Sequence, residues 1–189
     1  MRSWPSLLID ALWIIWLVYW VVSAQSTKRS RERESVRSRA GFLSAMGLVV
    51  LLLAVHRWPG VLGMRVVGGD WIRYACALAL VLVGLAFSMW ARSVLGENWS
   101  GTVTIKVDHE LIRRGPYRRI RHPIYTGILL ALLGSALATG QLRGLLAVVI
   151  ACIAFRLKSH VEEAWMERQF GEQYAAYRRS SWAFLPFVL

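Results

Sequence analysis

Long apolar runs separated by polar segments are the main pattern of this sequence. Five such runs occur, over residues 7–24, 42–58, 71–91, 124–139 and 142–155. A helix needs roughly 20 residues to cross the hydrocarbon core of a bilayer, and the charged residues here stand mostly between the runs. The pattern therefore predicts an all-α fold, an integral membrane helical bundle with about five transmembrane helices.

The last two runs form a distinct pair. Both are slightly short for a full crossing, and the segment that joins them, 140–144, begins and ends with glycine. Because glycine marks turns, this pair predicts a tight helical hairpin. If the hairpin does not cross the membrane, the bundle has four crossings.

The chain changes character from Lys158 onward. Aromatic and aliphatic residues recur there at helical spacing among acidic and basic ones, which predicts a C-terminal amphipathic helix lying against the membrane or against a loop of the protein. The apolar members of this pattern are Val161, Trp165, Phe170, Tyr174 and Tyr177. Residues 1–189 are thus expected to form a single membrane domain, with three spans in 1–91 and the hairpin in 92–189.

The charge distribution predicts the orientation. The formal net charge is +12, which in a soluble protein would suggest a nucleic-acid partner. Here the basic residues concentrate in two segments, 25–39 with six against two acidic residues and 92–121 with seven against three. Since lysine and arginine favour the cytoplasmic side, these segments and the carboxyl terminus are expected to face the cytoplasm, and no nucleic-acid partner is expected.

The two cysteines offer no further chemistry. Cys76 and Cys152 each lie inside an apolar run, so neither a disulfide framework nor a metal-ligand spacing is present, and no metal site is expected.

The candidate chemistry lies where the fourth apolar run begins. Arg121, His122 and Tyr125 stand at the point where a loop enters the bilayer, and Pro123 suits the first turn of the helix that follows. Ionisable groups at that depth are costly, which favours a functional site. The alternative is that an arginine-rich segment next to a membrane only binds lipid headgroups or fixes the topology.

A longer set of motifs surrounds these residues. Arg-His-Pro-x-Tyr-x-Gly at 121–127 is preceded by Gly-x-Tyr at 115–117 and followed by Glu162-Glu163 and by Phe-Gly-x-x-Tyr-x-x-Tyr at 170–177. This combination resembles the isoprenylcysteine carboxyl methyltransferase family, and related membrane phospholipid methyltransferases share much of it. The resemblance covers about residues 98–186. The Arg-His-Pro-x-Tyr piece alone also occurs in membrane sterol reductases.

The resemblance implies a membrane enzyme that uses S-adenosylmethionine, bound in a cytosol-facing pocket formed by residues 92–189. Methyl transfer would be its reaction. The positions that match the cofactor-binding residues of the family are His109, Glu110, Leu111, Ile112, Tyr117, His122, Pro123, Ile124, Tyr125 and Glu162.

The substrate position departs from the family pattern. An arginine four residues before the first glutamate contacts the substrate in the family, and this chain has Lys158 there. Arg156 is a possible substitute, although two residues apart on a helix point in different directions. Glu162, Lys158 and Arg156 are therefore the candidate catalytic residues.

The chemistry of the donor agrees with these residue types. Glu162 can pair with the ammonium or the sulfonium of S-adenosylmethionine, Arg121 can meet its carboxylate, and Tyr117, Tyr125 or Trp165 can stack on the adenine. An anionic nucleophile needs no general base, only positioning and removal of water, so His122 is not assigned as a base.

The expected partners are membrane lipids and a lipophilic methyl acceptor, a lipid or lipid-linked group whose nucleophilic atom the sequence does not specify. The oligomeric state is likewise open. Two other functions remain: an NADPH-dependent membrane reductase like the sterol reductases, and a non-catalytic lipid-binding protein. For the flanking residues we expect that Glu163 faces solvent or a lysine, and that the tryptophans of the first run are interfacial or packing residues.

Overall fold

The structure is a computed structural model that describes residues 4–25, 30–33, 35–55, 58–68, 71–99, 104–106 and 111–184. Six α-helices and two short strands occur in these ranges. They are α1 (Trp4–Ala24), β1 (Ser30–Arg33), α2 (Val36–Ala54), α3 (Trp71–Leu95), β2 (Thr104–Lys106), α4 (Pro123–Thr139), α5 (Leu142–Phe170) and α6 (Glu172–Arg179).

The predicted bundle is confirmed. Helices α1, α2, α3 and α5 are long and apolar enough to cross a membrane, and α4 is a shorter apolar helix of 17 residues. The chain is an integral membrane protein. Helices α4 and α5 are joined tightly at Gly140, whose φ of 61° lies in the left-handed region that glycine adopts without strain, so the predicted hairpin is present.

The end of the fifth apolar run differs from the expectation. Helix α5 does not stop near residue 155 but continues without a break to Phe170. The C-terminal amphipathic region is therefore two pieces, the charged half of α5 and the short helix α6. No helix-breaking residue separates Phe155 from Glu162, so the change from apolar to charged composition does not end the helix.

The two basic segments meet at one end of the bundle, as the alternation of spans predicts. Strand β1 follows α1 and pairs antiparallel with β2, which follows α3. The sequence pattern did not predict this strand pair, because each strand is only three or four residues long. Its consequence is that the two segments are joined to each other, with β2 in contact with α5.

Helices α3 and α4 approach closely through small residues. A Cβ atom added to Gly127 would lie 2.5 Å from the carbonyl oxygen of Gly84 and 2.7 Å from the backbone nitrogen of Ser88. One added to Gly84 would lie 2.6 Å from the nitrogen of Ala131. In lipid, where no hydrophobic effect drives helices together, such backbone proximity maximises dispersion contacts. This interface fixes where α4 begins relative to α3.

Helix α2 packs on α5 on the other side of the hairpin. Val49 and Leu52 are buried against Ala147 and Ala151. Arg143, near the start of α5, is also buried, and its guanidinium donates a hydrogen bond to the carbonyl of Leu52, close to the carboxyl end of α2. The arginine thereby satisfies a carbonyl that has no partner within its own helix.

Helix α1 is attached to this core by tryptophan side chains. The indole nitrogen of Trp16 donates to the hydroxyl of Ser88 on α3 over 2.8 Å, and that of Trp13 donates to Ser135 on α4 over 3.0 Å. Of the two interpretations of these tryptophans, packing is therefore the one that applies to Trp13 and Trp16.

Replacing Trp16 with phenylalanine tests the strength of this attachment. Because Trp16 and Ser88 are both buried, the lost hydrogen bond is expected to cost about 1 kcal/mol of stability and to lower the melting temperature in detergent. The matched control is Trp4→Phe on the same helix, where the side chain is 72% exposed and no change is expected. Equal shifts for both variants would contradict the prediction.

Candidate functional site

The segment that enters α4 is held by the residues that follow α6. The amide of Arg121 donates to the carbonyl of Trp182 over 2.8 Å, and the amide of His122 donates to Ala183 over 3.0 Å. In return the amide of Trp182 donates to Arg119 over 2.9 Å. This short parallel pairing satisfies the backbone of a segment that has no regular secondary structure of its own.

Pro123 begins α4, as expected from its position. His122 precedes the helix with φ of −122° and ψ of 56°, outside the helical region, because a following proline disfavours the helical conformation. The hydroxyl of Thr126 in the first turn donates to the carbonyl of Phe184 over 2.9 Å. The imidazole of His122 is thereby fixed at the beginning of the helix.

His122, Tyr125 and Glu162 lie together. The phenol of Tyr125 donates a hydrogen bond to Oε1 of Glu162, and Nδ1 of His122 lies 3.5 Å from Oε2 of the same carboxylate. The rings of His122 and Tyr125 are nearly parallel, with centroids 5.6 Å apart. Both oxygens of Glu162 are thus in contact with a donor, while its side chain remains 25% exposed.

Glu163 does not face solvent or a lysine, so that expectation was wrong. Its side chain is buried at the other edge of the His122 ring. Oε1 of Glu163 accepts from Nε of Arg121 over 2.7 Å and lies 3.1 Å from Nε2 of His122, and Oε2 lies 3.6 Å from Nε of Arg178 on α6. A buried carboxylate requires such partners, and Glu163 has three of them.

Arg121 is already engaged within the protein. Besides Glu163, its guanidinium contacts the carbonyl of Ser181 and, over 3.2 Å, the carbonyl of Arg178. Its Nε and Nη1 donors are therefore used to join the segment before α4 to α5, to α6 and to the residues after α6.

The protonation of His122 follows from these neighbours. Burial by itself lowers the pKa of the imidazole, but the hydrogen bonds and the negative charges of Glu162 and Glu163 outweigh burial and raise the pKa above its ordinary value. His122 is thus a cation between two carboxylates over a wider pH range than a free histidine.

The apolar residues of the motifs form a patch beside this cluster. Tyr117 and Ile124 are buried with Ala91 of α3, and Ile112 and Tyr125 pack against them. The carbonyl of Tyr117 accepts from the phenol of Tyr177 over 2.5 Å, which connects the motif before α4 to α6. Leu111 is half-buried next to Ile112, whereas His109 and Glu110 lie outside the described residues.

Lys158 and Arg156 lie on different faces of α5. Lys158 is one turn before Glu162 and therefore on the same face, with its ammonium 4.5 Å above the ring of Phe42. Arg156 is two turns before Glu163 and shares that residue's face instead. Of the two candidates, Lys158 is the one aligned with Glu162.

Several residues of the site had no signal that the sequence analysis used. Phe42 of α2 and Phe155 of α5 are in edge contact at 5.5 Å, and Phe155 lies 4.6 Å from the ring of Tyr125. From the chain after α5, Phe184 lies 5.6 Å from the His122 ring and Arg178 contacts Glu163. Only Phe155 could have been identified from the sequence, because it lies two helical turns before Glu162 and therefore on the same face of the helix.

The chain matches known membrane methyltransferases. A sequence model of the family described as phospholipid methyltransferase matches residues 72–173, which include α4, α5, both glutamates and all of α3 except its first residue. A probable protein-S-isoprenylcysteine O-methyltransferase of Oryza sativa subsp. indica is 26% identical over 121 residues, or 62% of this chain and 63% of that protein. The protein-S-isoprenylcysteine O-methyltransferase of Schizosaccharomyces pombe is 29% identical over 115 residues, or 59% of this chain and 49% of that protein.

The fold is shared with a solved structure. The eukaryotic intramembrane Ras methyltransferase, an isoprenylcysteine carboxyl methyltransferase, superposes with a TM-score of 0.58 and 22% identity, covering 81% of this chain and 50% of that one. The chain thus spans about half to two thirds of the length of the relatives it matches.

Proposed function

The chain belongs to the phospholipid methyltransferase family, and we propose that it is a membrane methyltransferase that uses S-adenosylmethionine to methylate a lipophilic acceptor. One observation carries this proposal: the partly exposed carboxylate of Glu162, held by Tyr125 and His122 where α4 begins. The carboxylate lies beside aromatic rings, at the boundary between the apolar helices and the polar end of the bundle. An anion in this position is suited to bind a water-soluble cation such as S-adenosylmethionine close to a lipid acceptor.

The residues present fit this donor. Glu162 would pair with its ammonium or sulfonium. Tyr117 and Tyr125, which belong to one apolar cluster, would supply the aromatic surface for its adenine. When bound, S-adenosylmethionine supplies an electrophilic methyl group on a sulfonium. Because Arg121 is occupied by Glu163 and by backbone carbonyls, its role in this proposal is to order the site rather than to bind the donor's carboxylate.

The acceptor would arrive from the bilayer. Lys158 lies on the Glu162 face of α5 beside Phe42 and Phe155, so a cation stands next to an aromatic surface in the apolar half of the site. This arrangement suits a lipid or lipid-linked group with an anionic nucleophile, such as the carboxylate of a prenylated cysteine. Positioning by Lys158 and exclusion of water by the aromatic rings would then suffice for transfer.

Orientation and domain organisation complete the proposal. The basic segments 25–39 and 92–121 meet at the end of the bundle that carries Glu162, and the positive-inside rule assigns that end to the cytoplasm. Residues 92–189 would bind the cofactor, and the three spans of 1–91 would support them and border the acceptor.

Incubation of the purified protein with methyl-labelled S-adenosylmethionine and a total lipid extract tests the function. We expect label in the organic phase, and alkaline hydrolysis that releases the label as methanol would identify a methyl ester. Label that is stable to alkali would identify an amine acceptor and contradict the carboxylate assignment. No transfer together with no donor affinity would end the methyltransferase proposal, and a rise in melting temperature with NADPH alone would favour the reductase.

A further inference from the structure

The second glutamate of the pair has contacts that a surface residue would not need. Glu163 is 5% exposed, and it contacts a segment before α4, namely Arg121 and His122, as well as Arg178 on α6. The phenol of Tyr125 donates to the other glutamate, Glu162. The ring of His122 contacts both carboxylates, so it connects Glu163 to Glu162.

The two distances at the His122 ring restrict its protonation. Nε2 lies 3.1 Å from Glu163 and Nδ1 lies 3.5 Å from Glu162. A neutral imidazole has one N–H and one lone pair, so one of the two nitrogens would direct a lone pair at a carboxylate oxygen. A ring with hydrogen on both nitrogens donates to both carboxylates, and this is the state that the geometry favours.

The charges around the ring balance in that state. The groups that face His122 and its two carboxylates come from every packed element. They are Glu162 and Glu163 on α5, Arg121 and Tyr117 before α4, Tyr125 on α4, and Arg178, Tyr174 and Tyr177 on α6. Burial raises the pKa of Tyr174 and raises that of Tyr177 to about 12, so both phenols stay neutral at ordinary pH. Arg121 and the imidazolium then neutralise the two carboxylates, with Arg178 half-exposed at the edge.

We propose that Glu163 is a positioning residue that keeps the His122 ring protonated on both nitrogens, so that His122 and Tyr125 together hold the carboxylate of Glu162 in place for the cofactor. The effect on cofactor binding rests on the proposed function, whereas the protonation of His122 does not. Glu163 itself would contact neither S-adenosylmethionine nor the methyl acceptor.

Histidine-selective ¹⁵N labelling and NMR of the full chain in detergent micelles test the protonation directly. The chain has four histidines, and His122→Gln identifies the resonance by its loss. We expect His122 to be an imidazolium at neutral pH in the unmodified protein and its titration midpoint to fall by about one pH unit in Glu163→Gln, because an opposite charge next to the ring is lost. Glu163→Asp, which keeps the charge, should retain most of the raised midpoint.

The pH dependence of stability gives a second readout with a defined sign. Since the folded protein raises the pKa of His122, its stabilising contribution is fully present below about pH 6.5, the ordinary value, and is lost as the pH rises through the folded value. The melting temperature should fall over that interval in the unmodified protein and much less in Glu163→Gln. Glu172→Gln, an exposed carboxylate paired only with Arg179 among the described contacts, is the matched control.

Cofactor binding separates this inference from the proposed function. In Glu163→Gln the KM for S-adenosylmethionine should rise about tenfold, the effect of one weakened charge-assisted hydrogen bond, while kcat at saturation changes little because Glu163 does not touch the reacting atoms. A neutral His122 at pH 7 in the unmodified protein overturns the inference even if Glu163→Gln does not fold, and so does an unchanged midpoint in that variant. If His122 behaves as expected but S-adenosylmethionine does not bind, the proposed function fails and the role of Glu163 toward His122 stands.

Discussion

Replacing Glu162 with glutamine is expected to lower the affinity for S-adenosylmethionine by about a hundredfold and to abolish detectable methyl transfer. The substitution keeps the size of the side chain but removes the negative charge that would pair with the donor's cation. The carboxylate accepts with both of its oxygens, from Tyr125 and from His122, whereas an amide has only one accepting oxygen. One of the two hydrogen bonds is therefore lost. A hydrogen bond between charged groups is worth about 1.5–3 kcal/mol, and the upper value corresponds to this loss in affinity.

Equilibrium dialysis with labelled S-adenosylmethionine measures this effect in the full chain in micelles. Glu172→Gln provides the control, since that carboxylate is 81% exposed and lies on α6 away from the cluster. If Glu162→Gln binds S-adenosylmethionine as tightly as the unmodified protein does, Glu162 is not the group that binds its cation. The geometry of Glu162 then no longer supports the proposed function.

Replacing Gly127 with alanine is expected to destabilise the bundle by about 2–3 kcal/mol or to prevent its folding. The added methyl group would lie 2.5 Å from the carbonyl oxygen of Gly84 and 2.7 Å from the nitrogen of Ser88, and neither backbone atom can move without displacing α3 from α4. Overpacking against flexible side chains costs about 1–3 kcal/mol, and a backbone contact belongs at the upper end of that range. The melting temperature in detergent, or the yield of monodisperse protein, measures the loss.

Gly47→Ala is the matched control for this prediction. Gly47 also lies within an apolar helix, α2, but a Cβ atom added there would have nothing within 4 Å. Because alanine is a better helix former than glycine by about 1 kcal/mol, this variant should be as stable as the unmodified protein or more so. Equal destabilisation by both substitutions would show that helix conformation, rather than the α3–α4 contact, determines the result.

The arrangement of apolar runs was enough to predict the membrane bundle, the hairpin and the shared end of the two basic segments. The end of α5 was not predictable in the same way. Hydropathy indicates where the chain leaves the hydrocarbon layer, but it does not indicate where the helix ends. Residues 156 to 170 are compatible both with a continuation of α5 and with a separate helix on the membrane surface. The position of Glu162 and Glu163 on a continuous helix, rather than on a separate surface helix, gives them a fixed orientation.

The motif around His122 correctly identified which residues meet, but not the roles of both glutamates. Neighbouring residues on a helix point about 100° apart, and sequence alone does not tell which one faces the bundle. In the structure both face His122, from its two sides. The partners of the buried Glu163 are Arg121 and His122 before α4 and Arg178 on α6, and contacts between separate segments leave no local pattern in the sequence.

The α3–α4 interface has a signature in the sequence, a pair of small residues on each helix. Gly84 and Ser88 are four residues apart on α3, and Gly127 and Ala131 have the same spacing on α4. Pairs of small residues at this spacing place a smooth strip along one side of a transmembrane helix and favour close helix contact. Applied to these residues, that rule would have predicted which two spans pack together.

The pairing between the entry to α4 and the residues after α6 has a consequence for biogenesis. Arg121 and its acceptor Ser181 are separated by 60 residues, and two membrane helices lie between them in the chain. While the ribosome is still making those helices, the loop that carries His122 has no acceptors for its amide groups, although the earlier spans can already be inserted. Membrane insertion and ordering of the segment before α4 are therefore expected to be successive events. Agents that stall translation late should leave a chain that is correctly inserted but unable to bind the proposed methyl donor.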